Sequence, residues 1–435
     1  MVRRVDIRKT ALLLTIAVTS VAPVFFVSLD EPTATLNAWK LPAKIGSLFG
    51  TMLLFWQFLL GYRQAVARWV TPDYIWAIGL HKAIGTAAPA LVLLHPVFIA
   101  LYYRDKHNQW LFGGDLPPRL AAYVLLGIVA FAVLCGIVAT STLVRKRIGK
   151  DPWYLTHLSS YLLLPAVFVH GYAIGGTLNE TALGSVWLGV LAAVGLFYIL
   201  RLLAEFGVFS SVYQVTRVAH AAADVVDIAM RPVRRPLCPL AGQFAFFRHG
   251  AFRPVRPFTV SKYREKTGEI HITVKALGVT TRRLQETRPG ERLLVDGPYG
   301  VFGREALRSE RPVVMLAGGI GVTPFRRMID ELERLPGREA YLFYGNQYEE
   351  DIALREEVEA AEHVELVHVL SGLEEHESLR VGFITVGLLE EHLNRELAEH
   401  EFLLCGPPIM VRKLEADLRA NGVPRSQIHH ELFGY

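Results

Sequence analysis

The sequence predicts a membrane bundle of six helices, followed by an antiparallel β-barrel and a doubly wound α/β domain. Three observations carry this. Six apolar stretches fill the first half of the chain and are long enough to cross about 30 Å of hydrocarbon. From Val212 the pattern changes to short alternating runs separated by turn residues. From Pro312 apolar strands alternate with helical segments around a glycine-rich turn. The boundaries expected are 1–206, 207–310 and 311–435.

Composition agrees with a split chain. Hydrophobic residues make up 51% of 435 and charged residues only 20%, with the charge concentrated in the second half. The net charge of +5 does not point to nucleic acid, because the Lys and Arg of the first half sit between apolar blocks, where a membrane accounts for them. Cys135, Cys238 and Cys405 form no CxxC pair and no disulfide framework, which fits a reducing cytoplasm for the soluble half.

The expected spans are Ala11–Leu29, Ile45–Tyr62, Ile75–Tyr102, Leu120–Leu143, Trp153–Tyr172 and Leu183–Glu205. The first follows Arg3, Arg4, Arg8 and Lys9 without a small-residue cleavage site, so it reads as a retained span and not as a removed signal. Arg63 and Arg68 follow the second span. Arg145, Lys146, Arg147 and Lys150 follow the fourth. The positive-inside rule then places both termini and everything after 206 in the cytoplasm, in a multi-pass protein of the inner cell membrane. The 103–119 loop, with Arg104, Lys106 and Arg119, is an exception on the outer side, and His107 in it reads as plain surface.

His81 and His95 lie in the third span, His157 and His170 in the fifth. Ionisable side chains at membrane depth are expensive and usually functional. Spacings of fourteen and thirteen residues separate each pair by about 20 Å along a helix, one histidine near each face of the membrane. His81 with His157, and His95 with His170, can therefore hold two stacked b-type haems, each iron carrying two imidazoles and suited to electron transfer. The bland alternative is a set of satisfied polar residues lining a bundle or a transport path. On an ideal helix fourteen residues fall about 40° short of the same face and thirteen about 140° short. Pro165 is expected to supply the correction by kinking the fifth span.

The segment from Trp153 through His157 and Pro165 to His170-Gly171 resembles the ferric reductase and NADPH oxidase transmembrane family, whose four-histidine haem ligation has this pattern. The resemblance continues through the soluble half, whose order of barrel then α/β domain is that of ferredoxin reductases. Arg256-Pro257-Phe258-Thr259-Val260-Ser261 is similar to the flavin segment of the family. The resemblance implies that Arg256 pairs with the FAD pyrophosphate, that Phe258 lies against the isoalloxazine and that Thr259 hydrogen-bonds near flavin N5. Gly278, Thr280 and Thr281 resemble the turn into a helix that holds flavin phosphate. Asp296-Gly297-Pro298-Tyr299-Gly300 matches the loop that closes the barrel.

Ala317-Gly318-Gly319-Ile320-Gly321-Val322-Thr323-Pro324 follows an apolar strand and precedes a helix, with Thr323 placed to cap and Pro324 in the first turn. Glycines there let backbone approach a pyrophosphate, and the helix start attracts it. Cys405-Gly406-Pro407 resembles the motif beside the nicotinamide, and Phe433 the aromatic that covers the flavin. Thr259, Cys405 and Phe433 are thus the residues expected closest to the chemistry.

These readings imply an NAD(P)H oxidase or ferric reductase: NADPH or NADH gives a hydride, FAD divides the pair, and two haems pass single electrons to an acceptor outside. The flavin is needed because nicotinamide gives two electrons and haem iron takes one. The acceptor, O2 giving superoxide or a ferric complex, stays open, as do an electron-donating role toward a quinone or a periplasmic protein, and the oligomeric state. A histidine often found beyond the outer ligand in the oxidases is replaced here by Ile99, while Arg104 and Lys106 are placed to attract anionic ferric chelates. Glu349, Glu350 and Asp351 lean toward NADH by repelling a 2′-phosphate. The competing reading is a flavin reductase without haem, its spans serving as anchor.

Overall fold

The computed structural model describes residues 6–432 apart from 109, 112–115, 149, 254 and 336. The chain divides into two compact units, Met1–Leu202 and Leu203–Tyr435.

Among the described residues of the first unit, six helices are long and apolar enough to cross a membrane: Ile7–Phe26, Ala34–Leu60, Tyr74–His107, Pro118–Val144, Pro152–Ile174 and Leu183–Glu205. The second starts eleven residues before the expected Ile45, because Lys40, Pro42 and Lys44 lower the hydropathy of a segment that is nonetheless helical. The third runs on to His107. Arg104, Lys106 and His107 therefore lie in its last turn and not in a loop, where cations complement the carbonyl end of the helix dipole.

The second helix is the central one, with 56% of its apolar window buried against 11–22% in the others, whose outer faces are left for lipid. Between Ile45 and Phe49 it widens to a π-helical turn, and Gly46 and Gly50 there let it approach the third helix. A Cβ on Gly46 would stand 2.6 Å from the backbone nitrogen of His95. Small residues of this kind set close crossings in bilayers, where no hydrophobic force draws helices together. Phe168 and Trp187 are buried at the core, the Trp187 indole donating to the Phe168 carbonyl at 3.0 Å. Interhelical bonds in bilayers average only about 0.6 kcal/mol, and Phe168 also packs its ring on Trp187 and Phe55.

Two of the six are interrupted. The third is regular from Tyr74 to Val92 and again from Leu94. The fifth breaks at Ser159, between helices Lys150–Leu158 and Ser160–Ile174. There the ladder tightens: the Ser159 amide donates to Thr156 O, and the Leu162 amide to Ser159 O, each three residues back. Pro165 sits inside the continuous second piece. The helix is therefore reset at Ser159 and not at the proline.

The second unit holds two sheets. The first contains β1 (Ser211–Ala222), β2 (Val225–Arg234), β3 (Phe244–Arg248), β4 (Arg256–Thr259), β5 (Lys262–Arg264), β6 (Glu269–Lys275) and β7 (Arg292–Tyr299), in the order β4-β3-β7-β1-β2-β6-β5. All pairings are antiparallel. Its two edges, β4 and β5, are joined by Val260 and Ser261 alone, and the Ser261 amide donates to His271 O on β6. The sheet is thus rolled until its edges approach. Ile228, Met230, Ile270, Ile272 and Val295 fill the inside.

The second sheet contains β8 (Val313–Gly318), β9 (Ala340–Asn346), β10 (Glu365–Leu370), β11 (Arg380–Val381), β12 (Glu401–Gly406) and β13 (Ile428–Leu432), in the order β11-β10-β9-β8-β12-β13. Every pairing is parallel. Side chains of β8 alternate between two cores: Val313, Met315 and Ala317 face helix Thr323–Leu332, and Val314 and Leu316 face helices Val386–His392 and Pro408–Ala420. With helices on both faces the sheet is doubly wound. The chain builds outward from β8 in one direction, then returns to add β12 on the other side, so the strand order reverses between β8 and β12.

Candidate functional site

The fold brings the four membrane histidines together as two pairs. His81 faces His157 with ring centroids 6.1 Å apart, and His95 faces His170 at the same 6.1 Å. A metal–imidazole bond is about 2 Å, so rings at this separation would leave room for one metal ion between them. Directly hydrogen-bonded rings would be closer.

Three of the rings are anchored by main-chain carbonyls. His81 Nδ1 lies 2.8 Å from Gln57 O, His95 Nδ1 3.2 Å from Ala43 O and His170 Nδ1 2.7 Å from Tyr123 O. A carbonyl can only accept, so each Nδ1 carries the proton and each Nε2 keeps its lone pair. His157 is held differently. Its Nδ1 is buried without a partner, and its ring stacks on Trp153 at 5.1 Å, with the Arg145 guanidinium over the far indole at 4.7 Å. Gly127, one turn after Tyr123, clears the path of His170: a Cβ there would collide with the imidazole. Among the described residues no group of three or more His, Cys, Asp or Glu stands together for a bare metal ion. The donor set is two imidazoles per site, which fits a b-type haem.

At the Arg104–His107 end of the third helix the charges are satisfied internally. Glu31 accepts from Lys40 at 2.8 Å, from Lys106 at 2.9 Å and from the Tyr102 hydroxyl at 2.7 Å. The Lys40 bond foremost holds its carboxyl down at about 2. Arg104 pairs with Asp105 at 2.7 Å, and Trp39 donates to the same carboxylate at 2.9 Å.

In the second unit the glycine turn lies where the strand order reverses. β8 ends at Gly318, Gly319–Val322 forms a 3-10 turn, and helix Thr323–Leu332 follows. Three glycines allow the ends of β8 and β12 to touch. A Cβ on Gly318 would meet Met410 Sδ at 2.7 Å and Pro407 Cδ at 2.8 Å, one on Gly321 would collide with Cys405 O, and one on Gly406 would stand 3.0 Å from Gly318 Cα. A crevice at the carboxyl ends of parallel strands, at an order reversal, is where open α/β sheets bind ligands. Gly319, with φ +53, has nothing within 4 Å of its Cβ position and faces open space. Pro324 stands in the first turn as expected. Thr323 does not cap: it is already helical, its hydroxyl donates to Ile320 O at 3.1 Å, and the cap position belongs to Val322.

Cys405, one residue before the end of β12, is in register with Ala317 of β8 and Glu431 of β13. It is fully buried, and burial pushes its thiol well above the ordinary range. Glu431 is buried with Oε2 unpartnered, and burial raises its carboxyl to about 8. Phe433 lies outside the described residues.

The segment 256–261 forms β4 and the two residues after it. Arg256 is exposed, donates to Val255 O at 3.3 Å and has no carboxylate partner among the described residues. Pro257 is exposed, and Phe258 packs half-buried on Phe247 at 6.1 Å. Thr259 is buried with its hydroxyl unpartnered, Val260 is wholly buried, and the Ser261 hydroxyl is taken up by His271 O and Thr273 Oγ1. The Thr259 hydroxyl is buried and orphaned, and the Arg256 guanidinium stands at the exposed start of the same strand, so one short segment offers a donor for a buried acceptor and a fork of donors at the surface. Gly278 begins helix Val279–Gln285, in which Thr280 is half-buried. Thr281 is committed to the turn itself, its hydroxyl accepting from the Leu277 and Gly278 amides at 2.9 Å each.

Residues 47–168 match the family described as ferric reductase like transmembrane component, and residues 315–416 match the oxidoreductase NAD-binding domain. A flavohemoprotein of Xylella fastidiosa is 33% identical over 206 residues, 45% of this chain and 51% of that protein. An NADH-cytochrome b5 reductase 1 of Lodderomyces elongisporus is 30% identical over 170 residues, 37% of this chain and 56% of that one. The chain thus matches only about half the length of these relatives. Among solved structures, the flavohem-like FAD/NAD binding domain of nitric oxide dioxygenase from Vibrio cholerae aligns at 21% identity with a TM-score of 0.47, covering 52% of this chain and 99% of that one.

Proposed function

We propose that this chain, which joins a ferric reductase like transmembrane component to an oxidoreductase NAD-binding domain, carries electrons from NAD(P)H through FAD and two b-type haems to an acceptor across the membrane. The observation that carries the reading is the double histidine pairing, two pairs at one ring spacing on one pair of helices. A polar lining of a transport path needs neither equal spacing nor Nε2 atoms left free by main-chain anchors.

When bound, FAD would exchange the hydride pair for single electrons and the haems would pass these on one at a time. The protein's part is to hold and orient. His81 and His157 would hold the haem on the cytoplasmic side, His95 and His170 the outer one. Arg256 would meet the FAD pyrophosphate with a fork of donors, and the Thr259 hydroxyl would donate to the flavin ring. The backbone of Gly318, Gly319 and Gly321 would cradle the nicotinamide pyrophosphate before Thr323 and Pro324. Cys405, Gly406 and Pro407 would wall the nicotinamide. As a protonated, buried thiol Cys405 excludes water and holds no charge against the ring.

Arg104 and Lys106 are bound to Asp105 and Glu31, so their charge is already neutralised and gives no preference for anionic chelates. O2 and ferric complexes are both candidates, and so are NADH and NADPH, because, of Glu349, Glu350 and Asp351 in the turn after β9, Glu349 is already paired with Arg355 and Asp351 with Lys275. The test is an anaerobic difference spectrum of the purified chain before and after NADH or NADPH. Paired b-type bands on adding nicotinamide are expected, and air or ferric citrate then sorts the acceptors. Flavin bleaching in haem-loaded protein without haem reduction would sink the relay, and a chain that takes up no haem would leave the anchored flavin reductase.

A further inference from the structure

The last membrane helix, Leu183–Glu205, has 23 residues, about 34 Å of helix, close to the thickness of the hydrocarbon layer. Phe206 follows it directly, so chain continuity puts the turn 206–209 at the level where the helix leaves the apolar layer. That turn is apolar and turned outward: Phe206, Val208 and Phe209 are all exposed.

One loop of the first sheet comes to the same place. β3 ends at Arg248, which is buried and clamps the helix end, donating to Ala204 O and Glu205 Oε2 at 2.7 Å each. The loop beyond carries Phe252, whose ring meets Phe206 edge-on at 5.1 Å. Phe252 is 62% exposed and sits at φ +56, a conformation that bulky residues rarely adopt. Strain of this kind persists where something repays it. A single ring contact between two exposed phenylalanines does not. Arg253 follows, exposed and without an ion-pair partner among the described residues.

We propose that the Phe252 loop is a membrane-interface anchor, inserting with Phe206, Val208 and Phe209 at the boundary of headgroups and acyl chains, with Arg253 at lipid phosphate. Aromatic rings with a neighbouring cation are the side chains this layer favours. The occupant is lipid and not a second protein because the patch begins at the residue where the chain leaves the bilayer. The inference is independent of haem and of electron transfer.

A nitroxide at position 252 tests it, with Phe252→Cys in a Cys135→Ser, Cys238→Ser background, in nanodiscs of phosphatidylcholine and phosphatidylglycerol. Collision rates with O2 and with a water-soluble nickel chelate are compared with those of a label at Phe383, an exposed residue beyond β11. The label at 252 is expected to favour O2 several-fold over the chelate, and the label at 383 the reverse. A label at 252 as open to the chelate as that at 383 overturns the proposal, as does one shielded from both probes, which would mean a protein cover. A label at Val208, under the same expectation, serves if Phe252→Cys does not fold.

Discussion

Gly127 and Glu431 show two ways in which a single residue controls its site. The His170 ring occupies the space a Cβ on Gly127 would need, so on the proposed reading Gly127→Ala should cost the haem held by His95 and His170 and leave the other. We expect the pyridine haemochrome content per chain to fall by about half, as for His170→Ala, with flavin content unchanged. Undiminished haem in Gly127→Ala would show that the ring is not seated as described. Glu431 acts through protons. Its carboxyl is raised to about 8 in the folded chain against 4.5 when exposed, so the native state binds the extra proton between those values. Stability should therefore fall as pH rises from about 4.5 to about 8. Glu431→Gln, neutral throughout, should flatten that part of the profile and raise the melting temperature at pH 8. Parallel melting profiles for the two proteins between pH 5 and 8 would contradict this. The histidines and the glycine turn were legible as residues, because ionisable groups in apolar runs and glycines between a strand and a helix stand out. Glu431 was not. Its raised carboxyl comes from burial in a parallel sheet edge whose strand, Ile428–Leu432, reads as polar.

At the scale of elements, the sequence predicted the type of each major segment and missed what depends on neighbours. Six spans were visible from apolar runs, but the second begins at Ala34 because packing, and not hydropathy, makes Lys40 to Lys44 helical. The thirteen-residue spacing in the fifth span was read as a problem that Pro165 would solve. The interruption is at Ser159, where amides three residues apart tighten the turn. Pro165→Ala should then leave both proposed haems in place, the Tyr161 carbonyl still accepting from the Tyr198 hydroxyl at 2.5 Å. An unchanged reduced visible spectrum is the expected outcome, and loss of the outer haem band would return the role to the proline. β4 was legible only as a motif, and β11, two residues long, gave no pattern at all.

For the molecule as a whole, the two units divide the proposed task and can be separated by one glycine. A Cβ on Gly321 would press on Cys405 O, pushing β8 and β12 apart at the crevice. Gly321→Ala should slow reduction of flavin by NADH on the order of a hundredfold, the scale of a 1 Å misplacement, while dithionite still reduces the haems fully. Equal slowing with both reductants would locate the damage elsewhere. The order of the sheets was legible because each domain has its own periodicity.

The partners of His81, His95 and His170 are carbonyls of Gln57, Ala43 and Tyr123, supplied by the main chain. Replacing any of those three side chains leaves the carbonyl where it is, so an alanine scan is blind to the anchors that set the tautomers. Natural variation is equally free there: such positions can drift in identity while the bond persists. The record of the anchors in the sequence is indirect, in glycines such as Gly46 and Gly127 that let a ring or a neighbouring helix come close enough to reach them.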